Sequence, residues 1–340
     1  MSQLGRKLTL TIIGESAMAM NRIQFQRGMS VPQFFERYGS EEQCESALMM
    51  FRWPQGFVCP RCASPAHYVV GHGARRLFQC RACRHQTSLT AGTLMDSTKL
   101  PLRTWFLAIF LVSQDKTGLS SLALMRHLGT TYRTAWLIHQ KLMAAMARCD
   151  SEMPLHGTVQ VDDAYLGGER PGTAGRGSPN KVPIVAAVQT NEEGHPLRVK
   201  LSPVATFSRQ AIAQWARKNL LPGTDVRSDG LACFAGVIDA DCAHSFIVVG
   251  ARKPRELPQF NWVNTVLANL KTLINGGYKG FKFGKYAQHY LGAFAYRFNA
   301  RFNLRELLHD LLADTATVLP MPERLIRVGA EVHDYSGGRL

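Results

Sequence analysis

The chain has 340 residues, a formal net charge of +15 and a pI of about 9.7. That length leaves room for two or three domains, each with its own core, and the charge favours a polyanionic partner, nucleic acid before a membrane, over small-molecule metabolism. The longest uninterrupted apolar run, Trp105 to Val112, has eight residues, well short of the roughly 18 that mark a membrane-spanning helix.

Residues 1–28 lack strong periodicity and read as an N-terminal arm or as a translation start placed too far upstream. Arg6 and Lys7 precede a weakly apolar stretch, but Glu15 interrupts it and no clear cleavage site follows. A signal peptide is therefore not expected, and the expected location is the cytoplasm, at the nucleoid.

Residues 29–97 are expected to form a zinc ribbon. Cys59-Pro-Arg-Cys62 and Cys80-Arg-Ala-Cys83 are two Cys-x-x-Cys pairs with 17 residues between them, a spacing that suits one tetrahedral four-thiolate site. Gly71 and Gly73 are expected at the turn of the intervening hairpin. Disulfides are the alternative, but nothing else suggests secretion. Four thiolates complete the shell, so His67, His72 and His85 are not expected to bind metal. Cys44, Cys149, Cys233 and Cys242 are scattered and read as free buried thiols. From Arg52 to Met95 there are six arginines and no acidic residue. That run is either a solvated face or a phosphate-binding one, with Arg75, Arg76, Arg81 and Arg84 as candidate DNA contacts.

Residues 98–150 read as helical. Pro101 suits the first turn of a helix through Trp105 to Val112. Ser120 is placed to cap a helix from Ser121 to His127, Gly129 breaks it, and Thr130 or Thr131 caps a longer one to about Ala147. The pattern fits a helix-turn-helix with Thr131, Tyr132 and Arg133 facing bases, or equally a plain helical hairpin.

Residues 157–310 alternate strand-like and helix-like runs. Strands are expected over Thr158–Val161, Pro183–Gln189 and Leu197–Leu201, a helix capped by Ser208 to about Asn219, a strand Asp225–Ser228 and another over Ser245–Val249. A helix from Trp262 to Asn275 follows. This order is compatible with a ribonuclease-H-like α/β fold. Residues 167–181 hold five glycines and two prolines but no Gly-Lys-Ser/Thr ending. They therefore read as a surface loop and not a nucleotide-binding P-loop. Residues 311–340 carry little signal and read as a tail.

Within that domain Asp162 and Asp229 each stand where a strand gives way, and Asn269 lies on the last helix. Two carboxylates and one amide suit a two-metal site that clamps Mg²⁺ or Mn²⁺ around a phosphate. Asn269 falls on the shoulder of the stripe Val263, Val266, Leu267, Leu270, Leu273, Ile274. There it either faces a cleft or is a half-buried amide bonded to a neighbouring loop. Between Arg252 and Arg305 there are ten Lys or Arg, one acidic residue (Glu256) and eleven aromatics. Such a segment suits a groove that follows a DNA backbone and stacks bases, with Lys271 and Lys279 as phosphate contacts.

These residues carry a resemblance. The two Cys-x-x-Cys knuckles, Val161-Asp162-Asp163-Ala164-Tyr165-Leu166-Gly167-Gly168 and Ser228-Asp229-Gly230 come first. Then follow Trp262-Val263-Asn264-Thr265-Val266-Leu267-Ala268-Asn269-Leu270-Lys271, Gly277-Tyr278-Lys279-Gly280 and Phe294-Ala295-Tyr296-Arg297-Phe298-Asn299. In this order they resemble bacterial insertion-sequence transposases with an N-terminal zinc ribbon and an ISXO-like catalytic domain, from about Val31 to Asn303. The resemblance implies a metal-dependent DNA transposase with a DDE-type triad of Asp162, Asp229 and Asn269, the last in place of the usual Glu. Asp163 is the weaker candidate for the first position, and Glu256 is the acidic rival of Asn269. An amide offers one neutral oxygen where a carboxylate brings charge. The resemblance further implies structural zinc, terminal repeats and target DNA as partners, and a dimer or larger assembly. A catalytically inactive DNA-binding regulator and a structure-specific nuclease on the same fold are the alternatives.

Overall fold

The structure, a computed structural model, describes residues 26–72, 75–167, 181–248, 250, 252 and 256–328. Most of the expected arm, Gly73, most of the expected loop (168–180) and the last twelve residues of the tail lie outside the described residues.

Two helices precede the ribbon, α1 (Val31–Tyr38) and α2 (Glu41–Arg52). Each starts with a capping box, Ser30 with Gln33 and Ser40 with Gln43, in which the serine oxygen and the glutamine side chain satisfy free backbone N–H groups. The ribbon is a three-stranded antiparallel sheet, β1 (His67–His72), β2 (Arg75–Cys80) and β3 (Gln86–Ser88). Gly71 lies within β1 opposite Arg76, so it is a strand residue and not the turn.

Three helices follow: α3 (Leu102–Gln114), α4 (Ser121–Leu128) and α5 (Tyr132–Ser151). Pro101 sits just before α3. The helix is capped by a distant group, because Glu41 of α2 accepts from the N–H groups of Leu102 (2.6 Å) and Arg103 (3.1 Å). Gly129 ends α4 with φ 62°, and Thr131 caps α5 through the N–H of Thr134. From Ala135 to Ala147 almost every residue of α5 is buried, which leaves its first turn exposed. A helix this enclosed organises a core.

The second sheet has five strands in the order β6-β5-β4-β7-β8. They are β4 (Thr158–Leu166), β5 (Val182–Thr190), β6 (Pro196–Pro203), β7 (Asp225–Ser228) and β8 (Ala243–Phe246). β4, β5 and β6 run antiparallel, whereas β7 lies parallel to β4 and β8 parallel to β7. Both faces are covered. Ile184, Ala186, Val188, Val199 and Leu201 join one core with α3, α5, α7 (Asn261–Leu273) and α8 (Phe283–Asn299). Val159, Val161, Val185, Ala187 and Val226 join another with α6 (Arg209–Asn219) and the 3-10 segment Ala232–Ala240. Alternate residues of β5 serve the two cores, as the period-two geometry of a strand requires.

A buried polar knot ties α5, β6 and α8 together. Asn299 donates to Asp150 Oδ1 (2.9 Å) and to Val199 O (3.1 Å), and its oxygen accepts from Val199 N–H (2.8 Å). Lys200, 2% exposed, donates to Asp150 O and lies 3.6 Å from its carboxylate. Helices α5 and α8 touch backbone to backbone at Gly292, where a Cβ would lie 2.3 Å from that of Ala147. Helix α9 (Leu307–Thr317) buries Leu307, Leu308, Leu311 and Leu312. α10 (Glu323–Val328) adds Ile326, so part of the stretch expected to be tail is core.

Candidate metal centres and nucleic-acid surfaces

The ribbon has little core of its own: Phe57, Phe78, Cys59 and Cys80, with Trp53 against the two phenylalanines. Its two knuckles repeat one design. The N–H of Ala63 donates to Cys59 O (2.9 Å) and that of Arg84 to Cys80 O (3.1 Å), and both Ala63 (φ 58°) and Arg84 (φ 59°) are left-handed. This turn brings both thiols of each pair to one side. The four Sγ atoms lie within 4.8 Å of one another, with Cys59–Cys83 at 3.6 Å and Cys62–Cys80 at 3.5 Å. Four sulfurs around one zinc at about 2.3 Å stand about 3.8 Å apart, so the donor set fits zinc. Backbone N–H groups of Cys83 and Ala82 push the Cys80 pKa down, towards the thiolate form that a metal takes. No histidine joins the group among the described residues, and His67 packs at a tilt against Phe57 instead.

The second cluster sits in the five-stranded sheet. β4 and β7 are parallel with Val161 opposite Ser228, and the pairing stops there. The next residues are Asp162 and Asp229. β4 does not end at Val161 as expected. It continues to Leu166 against β5, so Asp162 is mid-strand on the β5 side and just past the last residue paired with β7. Oxygens of Asp162, Asp163 and Asp229 lie within 4.8 Å of one another. Asp229 Oδ1 accepts from Leu231 N–H (3.1 Å) and Asp162 Oδ1 from Asp163 N–H (2.8 Å), which fixes both carboxylates. Gly230, φ 92°, makes the turn after Asp229. Oxygens sharing one octahedral Mg²⁺ at about 2.1 Å stand about 3–4 Å apart, so this donor set fits a divalent ion.

Two family models match the chain, one over each of these regions. Residues 39–86 match the transposase zinc-ribbon domain, and residues 154–299 match the ISXO2-like transposase domain. The chain is therefore similar to transposase domains in two regions, the ribbon and the α/β domain. It is also 30% identical, over 131 residues, to an uncharacterized protein in transposable element ISH50 of Halobacterium salinarum. That match covers 37% of this chain and spans 42% of the relative.

The ribbon match contains all four cysteines, and the transposase-domain match contains Asp162, Asp163, Asp229 and Asn269. Asn269 is exposed on α7, so the half-buried amide is not what the structure has. α7 is pinned to the sheet by Gln160, 5% exposed, whose Oε1 accepts from Val263 N–H (3.3 Å). Glu256 is exposed and outside the carboxylate group.

Sequence reading missed Gln160 and His244. His244 Nε2 lies 3.0 Å from Ser228 Oγ, one residue from Asp229, and burial pushes its pKa down, which favours a neutral ring. Its strand was expected two residues later, which hid the pairing of Val226 with His244.

The candidate DNA contacts differ in their partners. Arg133 is paired with Glu323 (3.1 Å), and Arg76 with Glu45 (3.5 Å). Arg81 lies over Tyr68 (4.4 Å), and Arg76, Arg81, Arg84, Arg133, Lys271 and Lys279 are all exposed. The side chain of Arg75 lies outside the described residues. Tyr278, Tyr286, Tyr290 and Phe294 of the basic-aromatic segment are core.

Proposed function

We propose that the chain is the DNA transposase of an insertion sequence. Its transposase domain is read as ribonuclease-H-like: three antiparallel strands followed by two parallel ones in the order β6-β5-β4-β7-β8, with helices on both faces, support that fold. The observation that carries the reading is the register. Parallel pairing of β4 and β7 stops at Val161 and Ser228, and the next residue on each strand is an aspartate.

In this reading Asp162 and Asp229, with Asn269 assisting, hold divalent metal, and Cys59, Cys62, Cys80 and Cys83 hold zinc. Bound Mg²⁺ or Mn²⁺ would supply Lewis-acid stabilisation of a phosphate and lower the pKa of a water or hydroxyl nucleophile. The protein's own part is to hold the carboxylates rigid, through the backbone donors of Leu231 and Asp163, and to bind DNA. Ribbon and helical segment recognise the terminal repeats. Arg84, Lys271 and Lys279, all exposed, neutralise phosphates. The reaction joins two ends to target DNA, so an assembly of at least two copies is proposed.

A test incubates the protein with labelled element ends, Mg²⁺ and a target plasmid. Joined product supports the transposase. Cleavage without joining identifies a nuclease, and binding alone a regulator.

A further inference from the structure

The amide at Asn269 leaves the proposed metal site with two charged ligands where a triad of carboxylates has three. The structure supplies a third acid from an unexpected place. Side chains alternate across a strand, so Asp162 and Asp163 leave β4 on opposite faces. Inside a sheet that would keep their carboxylates apart. Here the pairing of β4 with β7 ends at Val161 and Ser228. Asp162 and Asp163 follow that last pair directly on β4, and Asp229 follows it directly after β7. Their oxygens and those of Asp229 come within 4.8 Å of one another. The N–H of Asp163 donates to Asp162 Oδ1 at 2.8 Å, which restrains the Asp162 carboxylate beside Asp163.

Resting on the reading of this cluster as the transposase's divalent-metal site, we propose that Asp163 is a direct metal ligand alongside Asp162 and Asp229. It restores the negative charge that the amide at Asn269 does not provide. Three carboxylates held by one strand and one turn form a site in the protein without DNA, whereas Asn269, exposed on a separate helix, adds its oxygen from outside that unit. The metal affinity of the free protein is then set by the aspartates.

The test is Mn²⁺ binding to the zinc-loaded full chain without DNA, followed by the paramagnetic resonance signal of free Mn²⁺. It is run on the parent and on Asp162→Asn, Asp163→Asn, Asp229→Asn and Asn269→Ala. Each Asp→Asn change keeps size and shape, and circular dichroism confirms the fold. Affinity should fall about tenfold or more in Asp163→Asn, comparably with Asp162→Asn and Asp229→Asn, because hard-cation affinity follows ligand charge. It should change less than about twofold in Asn269→Ala. Weakening in Asp162→Asn and Asp229→Asn with parental affinity in Asp163→Asn overturns the assignment of Asp163 alone. Parental affinity in all three overturns the metal site itself, and the proposed function with it.

Discussion

At the scale of single residues, the charges that matter most to stability are not those nearest the proposed chemistry. Lys200 is almost wholly buried, and its charge is tolerated because Asp150 and its carbonyl face it. Burial alone pushes the Lys200 pKa down and that of Asp150 up, while each partner opposes the other's shift. Removing one member leaves a buried, uncompensated charge, which costs about 3–5 kcal/mol. Asp150→Ala should therefore lower thermal stability by that order in a calorimetric melt, and an unchanged melt would show that the knot contributes nothing. At the proposed site the expectation for Asn269 is graded. Asn269→Ala removes one oxygen and should slow strand cleavage about a hundredfold if that contact is worth about 3 kcal/mol in the transition state. Asn269→Asp is nearly isosteric and should retain part or all of the rate. Full activity in Asn269→Ala, measured on labelled ends, would remove the residue from the site.

At the scale of elements, the ribbon depends on its staple. With two phenylalanines and two cysteines as its buried core, it lacks the apolar area to fold alone, so metal binding and folding are coupled. Elemental analysis of the parent should find one zinc per chain, and Cys59→Ser or Cys83→Ser should lose both that zinc and binding to element ends. The five-stranded sheet, with separate cores on both faces, should keep its helix and strand signal. Helices α5 and α8 make a second sharp case. Their approach at Gly292 leaves no room for a methyl group, so Gly292→Ala should cost about 1–3 kcal/mol by overpacking, and Ala147→Gly should recover part of it.

Elements were legible where a local rule decides them. The serine and threonine caps at Ser120, Thr131 and Ser208, the break at Gly129 and the apolar stripe of α7 all read directly from sequence. Contacts between distant segments were not legible. Glu41 capping α3, Gln160 pinning α7 and Asn299 clamping β6 each join residues 60 or more positions apart, and no local pattern encodes such pairs. Helix α9 was hidden because its leucines follow a segment that reads as an ending.

At the scale of the whole molecule, the helical segment is part of the structure that supports the sheet. Helix α5 packs against α8, and the core they share reaches the sheet through Ile184, Val199 and Leu201. Only the first turn of α5 is free to meet DNA, and there Glu323 already holds Arg133. The four zinc ligands were readable from spacing, because a knuckle is local. The acidic cluster was half readable. Asp162 and Asp229 stand out as acids after strand-like runs, but that Asp163 joins them depends on where β7 stops. The most direct test of the account compares Asp162→Asn and Asp229→Asn with the parent in Mg²⁺, scoring on the same labelled element ends both the fraction bound and the fraction nicked. Binding should stay within about twofold of the parent and nicking should fall at least about a thousandfold, as loss of a charged metal ligand in a two-metal site should give. Nicking at the parental rate in both variants would contradict it.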